Sequence, residues 1–191
     1  AVSPGTLDDA AFAELDKLGS VTWLLAPNHF HNAGVALWHK RYPQARVVAH
    51  ADALPRLRKR VANVPWEDIA ALKAALPAQV KLLHPASATQ GETWLAVQTA
   101  QGRAWYVTDG VINERKLPGP PLGWLLRLFG FRTGLMLNPL FMRMFVRDRR
   151  EYKAWLRAQC QNEPPLWFIP SHGATFQGIG TAERIDAAAS L

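Results

Sequence analysis

Cys160 is the only cysteine in the 191-residue chain, so no disulfide can form within it. That fits a reducing compartment and restricts any metal site to His, Asp and Glu ligands. No uncharged apolar run reaches the roughly 18 residues that a membrane-spanning helix needs. The opening AVSPGTLDDAAF has neither the basic stretch nor the apolar stretch of a secretory signal, which leads to an expectation of cytoplasmic location. It also lacks an initiator Met, as a processed chain or a fragment would. Acidic side chains are in short supply, 15 against 22 basic ones, for a net charge of +7.

The rest of the composition is that of a globular protein. Hydrophobic residues make up 49% and charged residues 19%, which argues against a disordered chain. The length suits one domain with a real core. Eight Trp point to extensive aromatic packing or an aromatic-lined pocket. The basic excess is local: residues 115–157 hold ten basic side chains and two acids, Asp148 and Glu151. Such a run reads as a solvated helical face or as an attractor for an anionic substrate, a lipid surface or nucleic acid.

Periodicity and punctuation predict the elements. Residues 7–18 read as a helix with acids at its positive end and Gly19 as its stop. Residues 21–26 read as a buried strand, followed by the polar turn HFHNAG and a short helix over 33–41 that ends before Pro43. Residues 46–49 are strand-like, 51–61 and 68–76 helical, and 80–83 a short strand. TWLAVQTA and RAWYVTD flank Gln101-Gly102 as a hairpin. Residues 121–159 read as a long helical stretch broken by Gly130, Gly134 and Pro139. PLWFIP at 165–170 is a last buried strand, and 181–189 a closing helix. The expected architecture is a single α/β layered domain over residues 1–191 with a mixed sheet.

Three apolar runs end alike. VTWLLAP leads into Asn28, His29, Phe30 and His31, AWYVT into Asp109-Gly110, and LWFIP into Ser171-His172-Gly173. Layered α/β folds collect ligands at the carboxyl ends of strands, because those loops share one edge of the sheet. His29, His31, Asp109 and His172 are therefore candidates for one site. Imidazole and carboxylate donors together suit Zn, Fe or Mn. On an extended segment, His29 and His31 would share a side. A lone histidine at a strand end is more often a hydrogen-bonded polar group than a ligand. The agreement of three strand ends favours a joint site. His39 reads as a surface residue beside Lys40 and Arg41, and His50 as structural. His84 is a further candidate for contact with the site.

These residues resemble the metallo-β-lactamase superfamily, over nearly the whole chain and in a degenerate form. The resemblance implies an αββα sandwich with a metal site at one sheet edge. The superfamily signature is His-x-His-x-Asp-His-x-Gly after a strand. Placing Gly34 on its glycine sets Pro27 on the first His, His29 on the second, His31 on the Asp and Asn32 on the last His. Asp109 in VTDG falls on the metal-bridging Asp, and His172 in PSHG on the final His ligand. Where the family has its third His, HPASATQGETW offers Ser87, with His84 nearby. The resemblance implies an opening β-hairpin, of which AVSP would be the last remnant.

The resemblance implies a reduced site. A single ion, Zn or alternatively Fe or Mn, would be held by His31, Asp109 and His172 with His29 in support. Asp109, His31 and Asn32 are the candidates for catalytic work, with Asn32 positioning water or a substrate oxygen. The implied activity is hydrolysis of an ester, thioester, amide or phosphodiester. The alternative is a non-catalytic descendant that holds no metal and uses its basic helical insert, residues 114–157, to bind an anionic ligand, a partner or a membrane surface. Within that insert, apolar residues alternate with Arg. They read as a helical pair packed on the sheet, as a lid for a small molecule with an apolar body and an acidic group, or as a peripheral membrane contact. No recognised RNA or DNA motif is present.

Overall fold

A computed structural model describes residues 1–190; Leu191 lies outside the described residues. The chain packs as two compact units, Ala1–Leu76 and Pro77–Leu191.

The first unit is a parallel α/β layer. Helix α1 (Asp9–Asp16) starts at Asp8, whose carboxylate accepts the Ala11 amide and satisfies one of the donors that every helix start leaves over. Strand β1 (Trp23–Ala26) leads through the HFHNAG turn to α2 (Val35–Arg41) and on to β2 (Arg46–Ala49). Then follow α3 (Leu54–Arg60), β3 (Trp66–Asp68) and α4 (Ala70–Ala75). The strands pair in parallel in the order β1-β2-β3. Leu24, Val47, Leu57, Trp38 and Phe12 form the buried centre of this unit. Residues 1–5 also belong to it: Val2 bridges Leu25 in parallel, and the Gly34 amide donates to the Pro4 carbonyl.

The second unit carries a mixed five-stranded sheet in the order β10-β9-β6-β5-β4. Strands β4 (Val80–Leu83), β5 (Trp94–Thr99) and β6 (Gly102–Val107) form an antiparallel meander. Strand β7 (Val111–Glu114) follows β6 directly. Then come α5 (Leu122–Leu128), β8 (Gly134–Leu137), α6 (Pro139–Met144) and α7 (Arg149–Asn162). Strand β9 (Trp167–Pro170) enters the sheet parallel to β6, β10 (Phe176–Gln177) pairs with β9, and α8 (Thr181–Ser190) closes the unit. Trp94, Trp105, Tyr152, Leu156 and Phe168 are the large side chains of its core. On α7, Tyr152, Leu156 and Cys160 recur every fourth residue and form the buried stripe. Burial pushes the Cys160 thiol up to about 12, with Asp186 and Glu183 adding to the effect.

Two expectations need correction. Between the breaks expected at Gly134 and Pro139 the insert is strand rather than helix: Gly134–Leu137 forms β8, which pairs antiparallel with β7. The four residues between Gly134 and Pro139, Leu-Met-Leu-Asn, span barely one helical turn, too few for a helix to hold by itself. The partner strand decides their conformation, as tertiary context does for short apolar runs. His39 is half-buried rather than on the surface. No helix among the described residues is long and apolar enough to cross a membrane.

Leu57 is fully buried in α3. Leu57→Ala is expected to lower stability by about 2–5 kcal/mol through lost burial and the cavity left behind, measured as a shift of the urea midpoint at constant slope.

Candidate functional site

In the second unit the site follows from strand pairing. Strands β6 and β9 run parallel in register, with Val107 opposite Pro170. Their carboxyl ends are therefore neighbours, and the Ser171 amide continues the ladder by donating to the Val107 carbonyl. The loops that follow carry Asp109 and His172. His172 Nε2 lies 2.9 Å from Asp109 Oδ1. The Asp109 side chain is largely buried and that of His172 is 48% exposed.

Both loops are held by groups that sequence reading does not single out. Glu92, just before β5, is 2% exposed. Its Oε1 accepts the Asp109 amide at 2.9 Å, the Gly110 amide at 3.0 Å and the Trp94 indole N–H at 2.9 Å. A buried carboxylate thus anchors the backbone of the Asp109 loop. Gly110 is required there, since a Cβ would sit 2.2 Å from the buried Tyr152 hydroxyl. That hydroxyl is held well above the ordinary tyrosine range by burial and then by the charge of Glu92. The His172 loop is clasped by Asn113 of β7. The Asn113 amide donates to the His172 carbonyl, the Asn113 carbonyl accepts the Ala174 amide, and the Asn113 side chain donates to the Ala174 carbonyl at 2.6 Å. Gly173, with φ +95°, passes so close to Asn113 that a Cβ would fall 1.9 Å from its carbonyl oxygen.

In the first unit, the turn after β1 is an Asx turn. Asn28 Oδ1 accepts the amides of Phe30 at 2.8 Å and His31 at 3.1 Å. Asn32 is buried and donates its side-chain N–H to the His29 carbonyl at 2.6 Å. The geometry therefore gives Asn32 a turn-holding part. His31 Nδ1 lies 2.7 Å from Ser3 Oγ. His29 is buried, with Nε2 3.5 Å from the Arg56 guanidinium, which also lies over the Phe30 ring. A guanidinium beside that nitrogen disfavours a second cation on it. Elsewhere, His50 Nδ1 accepts the Asp52 amide at 3.2 Å, and His84 Nδ1 lies 3.3 Å from Thr93 Oγ1. Ser87, at the family's third-His position, donates its hydroxyl to Glu151.

The donor chemistry of Asp109 and His172 fits a divalent ion. Two ligands bonded at 2.0–2.1 Å with tetrahedral angles stand about 3.3 Å apart, so Asp109 Oδ1 and His172 Nε2 are spaced closely enough to share one ion. With Nδ1 of His31 on the Ser3 hydroxyl, coordination by that ring would fall to Nε2. An outer hydrogen bond that fixes the ring is what ligating histidines ordinarily have.

Solved structures settle the architecture. The mono-zinc form of the metallo-β-lactamase FIM-1 from Pseudomonas aeruginosa matches 99% of this chain and 77% of its own, at 15% identity and a TM-score of 0.58. A metallo-β-lactamase from Erythrobacter litoralis matches 94% of this chain and 72% of its own, at 16% identity and a TM-score of 0.57. The chain has the metallo-β-lactamase fold. A di-iron-bound protein, TTHA1623, also shares it, matching 97% of this chain and 86% of its own at 14% identity and a TM-score of 0.56. No protein-family model matches the sequence, and no curated protein matches it. In this instance of the metallo-β-lactamase fold, the strand-end positions of Asp109 and His172 carry an acid and an imidazole in contact.

Two outcomes follow. Removing the Glu92 carboxylate leaves three N–H donors without their acceptor in a buried setting. Glu92→Ala should cost about 3 kcal/mol or more in urea unfolding, while Glu92→Gln, which keeps an acceptor oxygen, should cost less. The His172 pKa is raised, first by its hydrogen bond to Asp109 and further by the charges of Asp109, Glu114 and Glu92, against a lowering by desolvation. The raised value means that protonated His172 stabilises the fold below the unfolded histidine pKa, and that this contribution is lost as pH rises through the folded one. In the metal-free protein, an NMR titration should place His172 above the ordinary histidine value, and Asp109→Asn should bring it down.

Proposed function

We propose that this protein is a metal-dependent hydrolase with a single divalent ion held by Asp109, His172 and His31. The observation that carries the proposal is the 2.9 Å contact between Asp109 and His172 at the paired ends of β6 and β9. His31 enters by its position in the motif, where the superfamily has its Asp, and by the Ser3 hydroxyl that fixes its ring. His29, whose Nε2 faces Arg56, is left out of the ligand set. Three protein ligands are the number found in catalytic zinc sites, where a further coordination position remains open.

When bound, a divalent ion polarises a carbonyl or phosphoryl oxygen and acidifies water. The chain's own residues do the rest. Glu92 and Asn113 set the loops, so Asp109 and His172 need little rearrangement to coordinate. The Ser3–His31 bond fixes which nitrogen of that ring points outward. Zinc, iron and manganese all accept this donor set. Esters, thioesters, amides and phosphodiesters are the substrate classes that suit it, and the basic segment favours a small molecule carrying an acid beside an apolar body.

Elemental analysis of untagged protein, loaded in turn with Zn, Mn and Fe, is expected to give about one equivalent per chain, as a three-ligand site would hold. Asp109→Asn and His172→Ala should lose the ion and any turnover on a panel of esters and phosphodiesters while remaining folded. Full metal retention in either variant, or no metal under any loading, would end the proposal. Bound metal with no turnover on any substrate class would convert it to a binding site.

A further inference from the structure

Helix α5 (Leu122–Leu128) is apolar on the outside. Leu122 is 52% exposed, Trp124 62%, Leu125 49% and Leu128 82%, and Phe129 just beyond is 38% exposed. Exposed apolar residues scattered singly are ordinary, but this many within about two helical turns mark an interaction surface. The helix stands away from the core. Only Gly123 in it is buried, seated so close to the Pro118 carbonyl that a Cβ would lie 2.0 Å from the oxygen. Leu126, its most inward large side chain, lines an open cavity of about 510 Å³ with Leu117, Phe131, Glu114 and Lys116 rather than a packed interior. The helix therefore keeps its apolar face outward with little intramolecular reason to do so.

The stretch of chain that carries it is strongly basic. Between Glu114 and Asp148 there is no acid, while Arg115, Lys116, Arg127, Arg132, Arg143 and Arg147 supply six positive charges. Arg127 lies within the helix, and Arg132 follows it closely; both are exposed. An apolar face that includes Trp, set in a predominantly basic segment with Glu114 on its inner side, matches a bilayer interface with anionic headgroups. Apolar side chains enter the acyl boundary, Trp sits at headgroup depth and the guanidinium groups meet lipid phosphates. A protein partner would need an apolar groove with an acidic rim, and a second copy of this chain would bring like charges together.

We propose that α5 docks this protein peripherally on anionic membranes, with Trp124, Leu125 and Leu128 inserted and Arg127 and Arg132 on the headgroups. None of these residues belongs to the proposed metal site, so the two readings stand or fall separately.

The test is co-sedimentation of the full chain with vesicles of phosphatidylcholine alone and of phosphatidylcholine mixed with phosphatidylglycerol. Binding is expected to the mixed vesicles, to weaken as salt rises, and to fall sharply on neutral ones. Trp124→Ser with Leu128→Ser should lower partitioning by about tenfold or more with an unchanged circular dichroism spectrum, as surface substitutions allow. Arg127→Glu with Arg132→Glu should abolish the preference for the anionic lipid. Lipids brominated on the acyl chains should quench tryptophan fluorescence, and Trp124→Phe should lose part of that quenching while still binding. No binding to the anionic vesicles at low salt would overturn the proposal. So would full binding by the Trp124→Ser/Leu128→Ser variant, or a wild-type dimer that this variant dissociates, which would assign the face to a second copy.

Discussion

The parallel pairing of β6 with β9 is the constraint on which the rest of the second unit depends. Every other pairing in that five-stranded sheet is antiparallel, and an antiparallel neighbour would have placed the loop after β9 at the far end of β6. Parallel strands must be joined by a long crossover. The segment from β7 to α7 is that crossover, and it brings with it the exposed helix, the basic side chains and the buried stripe of α7. The chemistry and the surface features of this unit are thus two products of one topological requirement.

A strand end delivers a residue to an edge but does not aim it, and the loops here are aimed by buried hydrogen bonds. Glu92 gathers the amides of Asp109 and Gly110 with the Trp94 indole, and Asn113 clasps both sides of Gly173. A carboxylate enclosed by three N–H groups is costly to build, because desolvation must be offset bond by bond. Its position beneath the loop that carries Asp109 matches the general use of rigid supporting shells under reactive groups. Tyr152 completes the arrangement from α7, filling the space that a side chain at residue 110 would need.

Asp109 and His172 were legible in sequence because AWYVTDG and LWFIPSHG each show an apolar strand breaking into polar residues. That these two ends touch is a matter of strand order, which no local pattern records. Strand β3 leaves no local signal because Trp66-Glu67-Asp68 is short and mostly charged, and it is strand only through its pairing with β2. Strand β8 was submerged in a run of Leu and Met that fits either period. Glu92 is hidden for a different reason: two of its three partners are backbone amides, which look the same at every position. The only trace in the sequence is an acid two residues before Trp94, on the side of β5 that faces inward.

The lone cysteine has a consequence of its own. Cys160 is enclosed on α7, with its thiol pushed up to about 12, so the thiolate that alkylating and disulfide reagents need is all but absent while the helix is seated. Reaction at this residue is therefore favoured by any opening that lifts α7 from its packing, and labelling reports on that opening. The chain carries a built-in reporter on the seating of the helix that also bears Tyr152.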